Sequence, residues 1–310
     1  MQDPRGVPAC FSSAEKIAGD PAAVTRPGQS VFISTYRTKM ADQCRFITIT
    51  WFKNLLLHGL SVAVDGPPGL PESHCTCKVE LKPWYFWRKH GCKSFTVDEK
   101  AVDVFWDLRA AKFNGETEPS SDYYVAVVCD EEVALLLGDL KKDAYRKTKC
   151  RPALIDPCLV SRKEHIFGKK KFCTKVKFHE KGGLHEISIE CKSKTDPEME
   201  IRIDGHLVIF VKHLQWKFRG NESIHVNKGR LEVYWDVHDW LFSTGLRHAL
   251  FIFKPNLPLT SSSRSMSSPS LSLDSTPLSS QTGSSGSAEG LNNGGGPSKF
   301  CLFLYAWKVE

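Results

Sequence analysis

Apolar and polar residues alternate with a two-residue period through most of this chain, in short runs broken by turn residues. In CRFITITW, residues 44–51, Ile47, Ile49 and Trp51 fall on one side and Phe46, Thr48 and Thr50 on the other. A strand turns successive side chains to opposite faces, so this spacing predicts a half-buried strand. Comparable runs predict strands at 31–39, 60–65, 75–82, 94–97, 101–107, 123–129 and 133–138. Asp65-Gly66-Pro67-Pro68 and His90-Gly91 read as turns, and Asp130-Glu131-Glu132 as the link of a hairpin. Residues 140–149 read as a short basic helix. Further strands are predicted at 159–167, 172–178, 184–190, 199–203, 206–218, 223–226, 231–236, 247–253 and 300–307.

Part of the pattern occurs twice. Residues 87–107, WRKHGCKSFTVDEKAVDVFWD, align without a gap with residues 216–236, WKFRGNESIHVNKGRLEVYWD, at a constant offset of 129. Trp87/Trp216, Gly91/Gly220, Ser94/Ser223, Val97/Val226, Val104/Val233, Trp106/Trp235 and Asp107/Asp236 are identical. Such a repeat declares architecture before any residue-level argument. The repeated residues read as packing and turn positions, with Asn227 and Gly229 suited to positive φ. The expected fold is all-β: two related antiparallel sandwich or barrel-like modules from an internal duplication, with the short helix at 140–149.

Residues 1–29, rich in Pro, Gly and small polar side chains, are expected to be a disordered N-terminus; the modules follow at 30–150 and 158–310. The final hairpin of the second module is interrupted. Residues 248–253 match 123–128, and 300–307 match 133–138, but a Ser/Gly-rich stretch, 256–298, lies between the second pair. It is too poor in apolar side chains to offset its ordering entropy and is expected to be a disordered loop.

Composition narrows the function without assigning it. No apolar run approaches the length of a membrane-spanning helix, and residues 1–16 lack the basic flank and apolar stretch of a secretory signal. Eleven cysteines, an odd number, then read as reduced thiols in a cytoplasmic or nuclear protein that is not secreted. The net charge of +7 is concentrated: residues 141–181 hold 14 Lys or Arg against four Asp or Glu. Within KFCTKVKFH, residues 171–179, the alternation buries Phe172, Thr174, Val176 and Phe178 and exposes Lys175 and Lys177. Together with Lys169, Lys170 and Lys171, and with Arg162 and Lys163 alongside, this predicts a basic surface for an acidic protein or an anionic membrane. Nucleic acid is a weaker match, because no RNP-type or helix-turn-helix pattern accompanies the charge. The bland alternative is a solvated edge strand whose lysines discourage aggregation.

Other motifs weigh less. His74-Cys75-x-Cys77 with His90 and Cys92 lacks the second ligand pair of a structural zinc site, so no metal or cofactor is expected. Asp236-x-His238-Asp239 is dense in acid/base groups but has no counterpart in the first copy; a solvated loop is the default, and no catalytic residue is assigned. In the serine-rich stretch, Arg264-Ser265-Met266-Ser267-Ser268-Pro269 resembles a phosphopeptide recognised by 14-3-3 proteins, with Ser267 modified. Ser268-Pro269 and Thr276-Pro277 resemble proline-directed kinase sites.

The strings ITITWFKNLLLHGLSVAVDG, CTCKVELKPW, SFTVDEKAVDVFWDLRAAKF, YYVAVVCDEEVALLLGDLKKDAYRKT and LEVYWDVHDWLF are similar to those of a plant-specific family, domain of unknown function 868. The resemblance covers about residues 31–254 and the final strand, and it implies no activity, cofactor or site. The functional expectation is a non-enzymatic binding or adaptor protein with a basic surface and a phosphorylatable loop. The alternative is a small-molecule or lipid carrier with a cavity in or between the modules, and a third is an enzyme built on Asp236, His238 and Asp239.

Overall fold

A computed structural model of the chain describes residues 29–40, 43–54, 58–65, 74–81, 89–168, 170–179, 182–192, 196–227, 229–256 and 300–308. The expected disordered segments, at the N-terminus and between the last two strands, lie outside these residues but for residues 29 and 256 at their borders. The elements in chain order are β1 (Ser30–Met40), β2 (Gln43–Lys53), β3 (His58–Asp65), β4 (His74–Leu81), β5 (His90–Val97), β6 (Lys100–Asp107), β7 (Tyr124–Cys129), β8 (Glu132–Gly138), α1 (Lys141–Thr148) and β9 (Arg151–Pro152). There follow β10 (Cys158–Phe167), β11 (Lys171–Val176), β12 (His185–Lys192), β13 (Glu198–Ile203), β14 (His206–Val211), β15 (Arg219–Val226), β16 (Gly229–Asp236), α2 (His238–Phe242), β17 (His248–Asn256) and β18 (Cys301–Trp307).

The protein is all-β, and among the described residues the strands form three open sheets, none closed into a barrel. The largest has nine strands in the order β15-β16-β17-β18-β10-β1-β2-β3-β4. A four-stranded sheet, β11-β12-β13-β14, packs on the β16–β18 end, and a five-stranded sheet, β5-β6-β7-β8-β9, packs on the β2–β4 end. Both covers lie on the same face. In register, Leu304 pairs with Glu164, Glu164 with Phe32, and Phe32 with Trp51. Cross-strand partners share a face, so Leu304 in one core and Trp51 in the other look out from one side of one sheet. The helix α1 covers the outer side of β7 and β8 through Ala144.

The duplication is visible in three dimensions. The β5–β6 and β15–β16 hairpins have the same register: Gly91 pairs with Trp106 and Gly220 with Trp235. The next residues repeat as well. Leu108 N–H donates to Lys89 O at 2.7 Å, and Val237 N–H to Phe218 O at 2.9 Å. Asp107 accepts from the N–H of Arg109 at 3.2 Å, and Asp236 from that of His238 at 3.1 Å. The repeated Trp-Asp pair is therefore a core indole followed by a carboxylate that closes a turn. The copies are deployed differently, since β5–β6 belongs to a cover while β15–β16 belongs to the nine-stranded sheet. The closing strand β18 sits between β17 and β10, with Leu302 and Leu304 fully buried.

Several local expectations change. Gly91 belongs to β5 and not to a turn: it pairs with Trp106, and its missing side chain makes room for that indole. The β7–β8 turn has two residues, Asp130 and Glu131, both at positive φ, and Glu132 already pairs with Cys129. Asn227 does take positive φ, but Gly229 does not. The strand expected to run to 218 stops at Val211, where His213 turns left-handed and drops Leu214 into the core. Trp216, one of the repeated residues, is 82% exposed and not a packing residue; its counterpart Trp87 lies outside the described residues. One helical turn, α2, was not expected; Val237, Trp240 and Leu241 at i, i+3 and i+4 are its inward side and were its sequence signal.

Candidate functional site

The basic strip lies on β11, an edge strand of the four-stranded cover. The alternation holds: Phe172, Thr174, Val176 and Phe178 are buried, whereas Lys170, Lys171, Cys173, Lys175 and Lys177 are exposed. Lys169 lies outside the described residues, as do Ser267, Ser268 and Thr276. The neighbouring strand tempers the charge. Lys171 is 3.2 Å from Glu190, and Lys175 stands directly opposite Glu186. Glu198 and Glu200 of β13 continue an outer face of mixed sign. The sequence hid this because the acidic partners become neighbours only through register.

Arg162 and Lys163 are not part of the strip. They belong to β10, an interior strand paired with β1 and β18 and not with β11. Arg162 points into the seam between the two cores, where its guanidinium donates to Glu164 at 2.5 Å and Glu118 at 2.9 Å. Burial opposes the charge of Arg162, but the two carboxylates hold its pKa above the ordinary value. Glu164 is wholly buried, and its second oxygen has no hydrogen-bond partner among the described residues. Lys163 points to the opposite face, 5.9 Å from the ring centre of Phe303, with its pKa lowered by burial.

The Asp236, His238 and Asp239 cluster is engaged in local structure. Asp236 accepts from the His238 backbone and from Arg219 Nε at 2.7 Å. His238 Nδ1 lies 2.9 Å from Asp239, and this contact holds the Asp239 carboxyl below its usual range. The imidazole rests edge-on against Phe218. Among the described residues, no group of three or more His, Cys, Asp or Glu is arranged to hold a metal ion; the side chains of His74 and Cys75 are not among those described.

A concavity unforeseen from the sequence opens at one end of the second core. It has a volume of about 220 Å³, with Leu214, Trp240 and Trp307 in its walls and Lys170, Lys192 and Lys308 around it. Cys191 also lines it, its thiol pushed up to about 12 by burial and so protonated. The Trp307 ring lies on the opposite face of the nine-stranded sheet from the second core, beside its cross-strand partner His248, and its indole N–H donates to Nδ1 of the buried His165 at 3.0 Å. His165 in turn stacks on Tyr305, with ring centres 4.6 Å apart. These residues come from segments separated in the chain, so no local motif announced them.

Residues 27–308 match a family model described as a plant protein of unknown function (DUF868). No curated protein matches the chain, and no solved structure matches it.

Proposed function

The chain belongs to this plant family of unknown function, and we propose that it works as a non-enzymatic binding module that docks an acidic protein segment along the edge of β11. One observation carries the proposal. Among the described residues β11 pairs only with β12, and its outward positions carry Lys171 and Lys175, with Lys177 just beyond its end. An unpaired edge can accept an extended segment through main-chain hydrogen bonds, and side chains at two-residue spacing then select for charge. The glutamates favour such a narrow acidic strand over a flat anionic membrane, because a segment added at the edge meets the lysines of β11 first, whereas a flat surface also meets Glu186 and Glu190 of β12. The commitment of Asp236 and Asp239 to turn and ring contacts supports the non-enzymatic part. Phosphorylation of Ser267, Ser268 or Thr276 adds negative charge to the same chain, and capture of phosphorylated Ser267 by a 14-3-3 protein would make the serine-rich stretch a tether. The proposed compartment is the cytoplasm or nucleus, where exposed Cys173 stays reduced.

The test is fluorescence anisotropy of a labelled alternating Asp/Val peptide against the full chain, beside an alternating Lys/Val peptide and vesicles of anionic lipid. The acidic peptide is expected to bind in a salt-sensitive manner and to weaken at least about tenfold with Lys171→Glu/Lys175→Glu/Lys177→Glu. Equal binding of both peptides, or binding to vesicles alone, would overturn the proposal.

A further inference from the structure

The concavity at the end of the second core has three features that together describe a ligand. Part of its wall is apolar. Leu214 is fully buried, Trp240 nearly so, and Leu241 packs beside them. The charged residues in its lining are of one sign. Lys170, Lys192 and Lys308 all line the site. Lys192 is paired with Glu200, whereas among the described residues Lys170 and Lys308 have no ion-pair partner. The site is also small. About 220 Å³ lies below the range of roughly 300–1,000 Å³ common for drug-sized ligands, so it suits a compact apolar body.

We propose that this cavity binds a small monoanionic amphiphile, a carboxylate carried on a compact ring system or short alkyl chain. The apolar body enters against Leu214, Trp240 and Leu241, and the carboxylate stays at the mouth with Lys170 and Lys308. Lysine stems can lie along apolar walls while their ammonium heads remain hydrated, which places positive charge where the carboxylate stops. Partial exclusion of water strengthens each of these charge contacts relative to bulk solvent. The walls are held before any ligand arrives. Gly168 N–H donates to Trp307 O at 3.1 Å, Lys308 N–H to Arg247 O at 2.8 Å, and Leu214 N–H to Pro197 O at 2.9 Å. A preformed site loses less entropy on binding.

The site differs from the β11 edge, and so do its variants. Isothermal titration calorimetry of the full chain at pH 7 would compare naphthalene-2-carboxylate, decanoate, 2-naphthylmethylamine and inorganic phosphate. One or both carboxylates are expected to bind saturably at one site per chain, and which of them binds distinguishes a ring from a chain. The amine and phosphate should each bind at least about tenfold more weakly, the first for its charge and the second for its lack of an apolar body. Lys170→Gln/Lys308→Gln should weaken the carboxylate about tenfold. Leu241→Trp, which adds bulk at a partly exposed wall, should abolish binding. The lysine variant alters only surface groups and decides the matter even if Leu241→Trp fails to fold. No carboxylate binding up to millimolar concentration, equal binding of the amine or phosphate, or unchanged binding by Lys170→Gln/Lys308→Gln would each overturn the proposal. Carboxylate binding that survives Lys171→Glu/Lys175→Glu/Lys177→Glu separates this site from the edge-strand proposal.

Discussion

Trp235 lies across the bare backbone of Gly220, its cross-strand partner, so closely that a β-carbon on the glycine would come within 2.2 Å of the indole. Trp106 lies over Gly91 in the same way, with the corresponding approach at 2.9 Å. The glycines are thus paired with the tryptophans as units of packing. Gly220→Ala is expected to destabilise the protein by about 1–3 kcal/mol, the usual cost of overpacking. The Trp235 ring cannot swing aside freely, because its N–H donates to Lys217 O at 3.1 Å. Gly91→Ala should cost less, since its clash is milder. Urea unfolding midpoints of the two variants check the order.

The seam between the cores holds a buried arginine between two acids. Arg162→Met would leave Glu164, wholly buried, without its counter-charge. Breaking one side of such a pair typically costs about 3–5 kcal/mol, whereas replacing both partners with apolar side chains is often nearly neutral. Arg162→Met/Glu164→Met is therefore expected to be more stable than Arg162→Met alone. A double-mutant cycle in chemical denaturation measures the difference.

His165 links pH to stability. Burial, reinforced by nearby His248 and Lys163, lowers its pKa to about 4 from an ordinary value of 6.5. The folded state holds the ring neutral, and the unfolded chain takes up the proton first. Its contribution is therefore complete above pH 6.5 and is lost as pH falls from 6.5 towards 4, by up to about 3 kcal/mol. His165→Phe, which keeps a ring against Tyr305, should flatten this part of the profile. Unfolding curves between pH 7 and 4.5 would show it.

The last strand is expected to be indispensable and the stretch before it dispensable. Removal of residues 301–310 strips β18 from between β17 and β10 and exposes both neighbours. Each large side chain lost from the core, Leu302 and Leu304 among them, forfeits about 1.5–3 kcal/mol. Removal of residues 262–295 leaves enough chain to join β17 to its antiparallel neighbour β18, and loop-closure cost depends only weakly on length. Soluble yield and circular dichroism of the two truncations should diverge sharply.

The strands were legible because each reports itself locally. Ile47, Ile49 and Trp51 alternate with exposed or half-buried residues in the sequence and in the structure alike. The register of β5–β6 against β15–β16 was legible because the repeat preserves it. The basic strip was half legible. The outward direction of Lys171, Lys175 and Lys177 follows from the pleat, but Glu186 and Glu190 stand beside them only because β12 pairs with β11 in one register. Nearness in sequence puts Arg162 and Lys163 beside the strip, but β10 pairs with β1 and β18 and not with β11.

By itself, then, the sequence determined the all-β class, the alternating faces of strands such as 44–51 and 171–179, the duplication and the return of a final strand to close the second copy. These depend on the two-residue period and on matched segments, which any window of the chain displays. Only the tertiary structure decided that both cores share one face of a single nine-stranded sheet, that Arg162 is sealed between two carboxylates, and that Trp240, Trp307 and three lysines surround one cavity. Those outcomes rest on contacts such as that of Trp307 with His165, 142 residues away. Pairing at that range is chosen by the packing of the whole molecule and leaves no periodic trace in the chain.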